Sequence, residues 1–393
     1  LYVHVPFCEM RCGFCNLFTT VNTDRALEDR YIDALERQAR AVAGLFKTAR
    51  FAQVTLGGGT PTWLTAAQLE RVFLLLSSSF AITDAPIAIE TSPQTATRER
   101  LEVLRAHRVQ RVSIGVQSFF LDETKALGRP QAPGMVDRAL DNIRAQHFEM
   151  LNIDLIYGMD GQSTESWLAS IRRALQYKPE QLYLYPLYVR PLTGMSKSLK
   201  QWDDERLLRY KEGRDLLLSE GYEQHSMRMF ARKLAAATAP ELSDQTYACQ
   251  RDGMLGLGCG ARSYTRSVHY SEEWAVASKS VRDILGAYIN RSESEFSAAR
   301  YGFELSLEEQ QRRYILLTLL SRDGLFDRDF YEYFHCSLES MSAELAPLVE
   351  RGWLRREPHR WSLTPLGMSL SDAIGPALFS SHVRQLMAEF SLR

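Results

Sequence analysis

Cys8, Cys12 and Cys15 stand as Cys-x3-Cys-x2-Cys directly after the strand-like run Leu1-Tyr2-Val3-His4-Val5-Pro6. Three thiolates on one short loop, with no fourth nearby, form the ligand set of a [4Fe-4S] cluster that leaves one iron without a protein ligand. An open iron is a place for chemistry. The rival reading, a structural zinc knuckle, needs four protein ligands in a tetrahedron, and His4 alone, on an expected strand, is a poor fourth. Cys249, Cys259 and Cys336 are scattered singly and no signal peptide is visible. That pattern suits a reducing compartment rather than disulfides, and the expected location is cytoplasmic.

These ligands need a scaffold, and 393 residues suffice for one large domain plus a small one with an ample buried core. Lys plus Arg number 47 against 48 Asp plus Glu, so the net charge of -1 gives no broad attraction to nucleic acid or to an acidic membrane. No stretch approaches the roughly 18 unbroken apolar residues of a membrane helix. The expectation is a monomeric enzyme with a small-molecule substrate, no nucleic acid and no membrane. Leu1 falls inside an expected strand, which suggests that residues precede it in the full protein.

Short β-branched or aromatic runs near 1–6, 51–57, 87–91, 109–116, 149–157 and 181–187 alternate with longer stretches of helical period, the signature of parallel β/α units. Over 24–46, Leu27, Tyr31, Leu35, Ala39, Val42 and Leu45 recur on one helical face and should pack on the sheet. Six such units predict an α/β fold, a partial TIM-like (β/α)6 barrel with its chemistry at the C-terminal strand ends. After about residue 300 the texture changes. Leu305-Ser306-Leu307-Glu308-Glu309 reads as a helix start, and the helix-helix-hairpin pattern beyond it predicts a winged-helix-like module. The expected division is 1–300 for the barrel and its extension and 301–393 for the C-terminal domain. Residues 307–370 hold eight Arg and no Lys against ten Asp plus Glu. That balance lacks the basic footprint of a DNA reader and points to a lid or packing module.

After the second strand comes Gly57-Gly58-Gly59-Thr60-Pro61, a run expected to leave backbone N–H and C=O groups open to a ligand. Together with Tyr2 through Cys15, Ile89-Glu90, the 112–119 run ending in Gln117-Ser118-Phe119, the 152–158 run around Asp154, and Leu255-Gly256-Leu257-Gly258, it resembles the radical S-adenosylmethionine superfamily. Within that superfamily it is similar to the oxygen-independent coproporphyrinogen III oxidase-like (HemN-like) branch. The resemblance covers roughly 2–264 and, less sharply, the C-terminal module.

The resemblance implies that S-adenosylmethionine chelates the open iron and is split to methionine and a 5′-deoxyadenosyl radical. It places Phe14, Gly59, Thr60, Gln117, Arg129, Asp154 and Tyr188 around that molecule, Tyr188 through its backbone. Tyr2, Gly58 and Glu90 fall where the family contacts a second S-adenosylmethionine. A flavodoxin- or ferredoxin-type electron donor is implied, with room for an accessory biosynthetic enzyme. Each residue has a plainer reading: Phe14 as loop packing, Gln117 as a satisfied core amide, Arg129 as a surface charge. For Glu90 and Asp154, in apolar strand runs, an unpaired inward carboxylate is costly and a ligand role is favoured.

Departures from the family patterns discriminate among its reactions. The decarboxylase branch usually has a Cys at the position of Leu17 and an Asp-His pair before Phe-Ala-Arg, where this chain reads Met227-Arg228-Met229-Phe230-Ala231-Arg232. It shares Tyr247-x2-Gln250. The haem-chaperone branch would carry its haem motif at 244–249, where Asp244-Gln245-Thr246-Tyr247-Ala248-Cys249 lacks the His. What remains resembles the HemN-like methyltransferases, called class C, so the expected reaction is radical C-methylation or cyclopropanation of an sp2 carbon, with porphyrinogen decarboxylation as the alternative. Tyr2 and Glu90 would hold the second S-adenosylmethionine and count as catalytic. Tyr247, Cys249, Gln250 and Arg228 are substrate-side candidates by position, Cys249 and Tyr247 catalytic among them. Met227 and Met229 read equally well as core.

Overall fold

The computed structural model describes residues 1–195, 204–233 and 247–391. Six strands, β1 (Tyr2–Val5), β2 (Val54–Gly58), β3 (Ile87–Thr91), β4 (Val109–Gln117), β5 (Met150–Tyr157) and β6 (Gln181–Pro186), lie side by side in chain order, all parallel. Three short strands extend this sheet: β7 (Tyr222–Gln224) and β8 (Met229–Arg232) run antiparallel beyond β6, and β9 (Gly256–Leu257) pairs parallel with β1 at the opposite edge. The order β7-β8-β6-β5-β4-β3-β2-β1-β9 is an open, partial barrel.

Residue alternation sets which side chains face which way. Val3, Val5, Leu56, Val112, Ile114, Val116, Leu151, Ile153, Leu155, Leu182 and Leu184 are buried toward the helical layer, so the residues between them, such as Ser113, Asn152, Asp154, Tyr183 and Tyr185, point to the inner side. The helices that cover the sheet include α1 (Arg25–Ala43), α2 (Ala66–Ser79), α3 (Arg98–Ala106), α4 (Leu121–Ala126), α5 (Met135–Ala145), α6 (Thr164–Gln176) and α7 (Asp204–Ser219). Asp24 caps α1 by accepting the Leu27 N–H, and Thr65 with Gln68 closes a capping box on α2. Tyr31, Leu35 and Ala39 of α1 are buried as the periodicity requires, but Leu45 is 72 % exposed. The helix stops at Ala43, and Leu45 sits in the following 3-10 turn, out of phase with the stripe.

Past the barrel come α8 (Cys249–Asp252), α9 (Ser278–Ile289) and an antiparallel sheet of β10 (Arg262–Tyr264), β11 (Val268–Ser271) and β12 (Tyr301–Glu304). Ser306 then caps α10 (Leu307–Leu319), followed by β13 (Leu325–Phe326), α11 (Asp327–Phe334), α12 (Ser342–Glu350), β14 (Leu354–Glu357), β15 (Arg360–Leu363), α13 (Pro365–Ser369) and α14 (Ser371–Ala377). The last three strands pair in the order β13-β15-β14. This winged-helix-like module has its own core, with Ile315, Leu319, Phe330, Trp361 and Ile374 buried together. No described helix is long and apolar enough to cross a membrane.

Candidate active site at the strand ends

The cysteine loop leaves β1 and is held at several points. Cys8 N–H donates to the Thr20 carbonyl at 3.0 Å, Thr20 N–H to Pro6 at 2.7 Å, and Gly13 N–H to Leu127 at 2.8 Å. Arg11 reaches Ser278 at 2.5 Å and the Val276 carbonyl, tying the loop to the start of α9. His4 Nε2 lies 2.8 Å from the Phe18 carbonyl, and a carbonyl only accepts, so the proton is on Nε2 and Nδ1 is left to accept the Tyr2 hydroxyl at 3.2 Å. Burial lowers the His4 pKa to about 4, which keeps the ring in this neutral form.

The three glycines after β2 answer to three separate contacts. A side chain at Gly57 would lie 3.0 Å from the Glu90 carboxyl; at Gly58, which has φ +107°, it would lie 2.6 Å from the His4 ring; at Gly59 it would lie 2.6 Å from the Phe7 carbonyl and 3.0 Å from Cys8 Sγ. The run does not leave its N–H groups open, contrary to the sequence expectation. Gly58 N–H donates to Glu90 Oε2 at 3.2 Å, Gly59 N–H to Val5 and Thr60 N–H to Phe7, each at 2.8 Å. The glycines permit close approach of β1, β3 and the cysteine loop.

These elements enclose a cavity of about 560 Å3. Cys8, Cys12, Cys15, Phe14, Gly58, Gly59, Thr60, Glu90, Gln117, Arg129, Asp154, Tyr188 and Arg228 all line it. Gln117 sits at a register shift of β4 with φ +68°, a strained conformation for a non-glycine residue. Asp154 accepts from Asn152 at 2.7 Å and Ser113 at 3.3 Å, and burial raises its pKa. Glu90 is walled in by protein yet open to the cavity; desolvation, then the neighbouring Asp154, raise its pKa to about 7. Phe14 also packs against the apolar group of Leu127, Ile156, Met159 and Leu187.

The donor set fits a cluster better than a single ion. Among the described residues no three His, Cys, Asp or Glu side chains converge on one metal-sized point, and a four-iron cube holds its thiolates farther apart than a tetrahedral zinc does. Arg129 donates to Cys12 Sγ at 3.3 Å and to the Gly115 carbonyl at 3.0 Å, while its buried Nε lacks a protein partner. The Thr60 hydroxyl lies 3.7 Å from Cys8 Sγ. Burial pushes the Cys8 thiol up to about 12 and also raises Cys15, so iron must displace the protons as it binds.

Other expected residues fall elsewhere. Tyr2 points to the inner side of β1 with its hydroxyl on His4 and does not line the cavity. Tyr247 and Cys249 are also outside the lining: Tyr247 donates to the Gly253 carbonyl at 2.7 Å, and half-buried Cys249 opens the short helix α8. They precede β9, so they stand by the start of β1, whereas the cysteine loop lies past its end. Gln250 lies beside Tyr264, and Met227 and Met229 are buried. Of the supposed haem motif, Asp244, Gln245 and Thr246 lie outside the described residues. The side chain of Tyr188, expected to be uninformative, donates its hydroxyl to Asp372. Tyr185, Arg190, Ser92 and Glu9 also line the cavity; the alternation Tyr183-x-Tyr185 at the end of β6 was a readable sign for the first, and no local pattern marks the others.

The Radical SAM superfamily description matches residues 2–174 and the HemN C-terminal domain matches 305–370. The chain is 30% identical over 373 residues to the oxygen-independent coproporphyrinogen III oxidase of Salmonella typhimurium, spanning 90% of this chain and 79% of that protein. It is 30% identical over 414 residues to the same enzyme of Escherichia coli, spanning 100% and 88%. Heme chaperone HemW of Lactococcus lactis is 24% identical over 382 residues, spanning 95% of each. The solved structure of coproporphyrinogen III oxidase (HemN) from Escherichia coli superposes with a TM-score of 0.82 at 27% identity, covering 96% of this chain and 89% of that one. Radical C-methylation finds no support in these relatives. The chain belongs to the radical SAM superfamily, in its oxygen-independent coproporphyrinogen III oxidase-like branch, a family that works with a [4Fe-4S] cluster and S-adenosylmethionine.

Proposed function

We propose that the protein takes a hydrogen atom from a carboxylate-bearing small molecule, in the manner of the coproporphyrinogen III oxidases it is similar to, with coproporphyrinogen III the first substrate to test. When bound, the cluster and S-adenosylmethionine supply the electron and the 5′-deoxyadenosyl radical for that step. Cys8, Cys12 and Cys15 would hold the irons, the Arg129 guanidinium would donate to the thiolate of Cys12 and offset its negative charge, and Glu90 and Asp154 would receive the ammonium and hydroxyl groups of bound cofactor. Removal of a hydrogen atom beside a propionate, loss of the carboxylate as CO2 and passage of one electron to an external acceptor leave a vinyl group.

The observation that carries this reading is the likeness in sequence and fold to coproporphyrinogen III oxidases over nearly the whole chain, with the cysteine loop, Gln117, Arg129 and Asp154 gathered on one cavity. On the β6 side of that cavity Arg190 and Arg228 lie against Tyr185 and Tyr188. Leu17, 47 % exposed, adds an apolar side chain to the lining. The cytoplasmic setting expected from the cysteine pattern suits a reduced cluster. Anaerobic turnover of the reconstituted protein with coproporphyrinogen III and deuterated-methyl S-adenosylmethionine tests the reaction. Formation of 5′-deoxyadenosine with one CO2 released for each molecule of it supports the reading. A product carrying the labelled methyl, with S-adenosylhomocysteine released, overturns it in favour of methyl transfer.

A further inference from the structure

A carboxylate already sits on one arginine of the β6 side, Arg228, and it comes from the far end of the chain. Arg228 Nη2 donates to Asp372 Oδ1 at 2.6 Å, and the Tyr188 hydroxyl donates to Oδ2 of the same carboxylate. The Arg228 guanidinium lies 5.8 Å from the ring centroids of both Tyr185 and Tyr188, and Arg190 lies 5.1 Å from that of Tyr188. Asp372, in the first turn of α14, stays behind this wall and is not part of the cavity lining, whereas Arg228 is.

The consequence follows from counting donors and charges. A guanidinium carries five N–H groups in a planar fork; Asp372 takes one of them and the Tyr188 hydroxyl lies within hydrogen-bond reach of the same fork, which fixes its plane where Arg228 lines the cavity. Among the described residues, Asp372 is the one carboxylate paired with either arginine, so on this wall two cations meet one anion, while Glu9, Glu90 and Asp154 line the rest of the same cavity. The rings of Tyr185 and Tyr188 cover part of Arg228, whose side chain stays 37 % exposed, and a charge pair formed there is stronger than one in bulk solvent.

We propose that Arg228 is the receptor for a substrate carboxylate, with Arg190 as a second cation, and that Asp372 is a positioning residue that presents the Arg228 fork to the cavity. This rests on the reading of a carboxylate-bearing substrate given above. It assigns the C-terminal module a share in substrate selection.

Rates of Arg228 modification by phenylglyoxal, mapped by mass spectrometry in the full-length protein, give a test independent of turnover. Two acid and neutral pairs serve as probes: coproporphyrin III with its tetramethyl ester, and glutarate with glutaramide at matched ionic strength. The expected result is that an acid slows modification at least about tenfold more than its neutral partner (about 1.4 kcal/mol). Asp372→Asn should remove that difference and Asp372→Glu restore it, with iron content and melting temperature of both variants near those of the parent. Protection by glutarate without protection by coproporphyrin III upholds the subsite and removes the porphyrin from the proposed function. Equal protection by acid and neutral partner, or none by either acid, overturns the assignment.

Discussion

His4 donates its Nε2 proton to the carbonyl of Phe18 across 2.8 Å, so a ring on the inner side of β1 holds the far limb of the cysteine loop. The same ring takes the Tyr2 hydroxyl on its other nitrogen, which makes the loop's position depend on two residues that touch no ligand atom of the cavity. His4→Phe keeps the packing volume and leaves the buried Phe18 carbonyl unpaired, a loss of about 1–3 kcal/mol. The expected outcome is a lower melting temperature and less iron retained on reconstitution, with His4→Gln intermediate. Iron and sulfide assays with thermal melts check it.

Arg129 places a cation 3.3 Å from Cys12 Sγ. A positive charge and a hydrogen bond at a cluster sulfur favour the reduced state, so Arg129→Met should lower the cluster's reduction potential. Loss of one charge-assisted hydrogen bond, about 1.4 kcal/mol, corresponds to roughly 60 mV for a one-electron couple. A redox titration followed by electron paramagnetic resonance checks the shift, and an unchanged potential would separate Arg129 from the cluster.

Glu90 gives the ligand-free protein a pH dependence. Its folded pKa, about 7, lies above the unfolded value, 4.5, so between them the folded state binds more protons and stability falls as pH rises. Because the side chain opens to the cavity, the decline should be shallow. Urea melts from pH 5 to 8 should show it, and Glu90→Gln should flatten it. A ligand bearing an ammonium group beside Glu90 should bind more tightly above pH 7 than below pH 6.

Gly58 has φ +107° and no room on its His4 side. Gly58→Ala should cost about 1–3 kcal/mol from backbone strain alone and displace His4, so cluster occupancy should drop with stability. Gly44, which has open space where a side chain would go, provides the control: Gly44→Ala should melt near the parent temperature.

Cys249 stands outside the cavity in the first turn of α8. Cys249→Ala should therefore keep its iron and form 5′-deoxyadenosine at the parental rate. Cys12→Ala should yield a colourless protein without radical chemistry. A Cys249→Ala variant that binds its cluster yet has lost turnover would bring that thiol back into the mechanism.

The six parallel strands were legible because each is a compact β-branched run between amphipathic helices, and the structure finds them within about three residues of the expected bounds. The cysteine loop was legible from its Cys-x3-Cys-x2-Cys spacing, and the strand positions Glu90, Gln117 and Asp154 because period two puts them on the inner face once their apolar neighbours face the helices. Sequence-distant contacts were not. Two-residue β9 has no pattern of its own and exists by pairing with Tyr2 and Val3. Asp372 meets Tyr188 across 184 positions, through packing of a module that has a separate core. The glycine run was read to the right place, since Gly58 and Gly59 line the cavity, but not to the right amide partners: a sequence of small residues does not tell whether their N–H groups face a ligand or a neighbouring strand.

β1 obtains its second neighbour from residues 256–257, and Arg11 its anchors from 276–278. During synthesis the cysteine loop therefore leaves the ribosome well before the segments that brace it. At about 5–20 residues per second that interval lasts roughly 10–50 seconds. Metal loading on the nascent chain would meet a loop without its Arg11 anchors and a β1 without β9, so maturation of the iron centre belongs after release of most of the polypeptide.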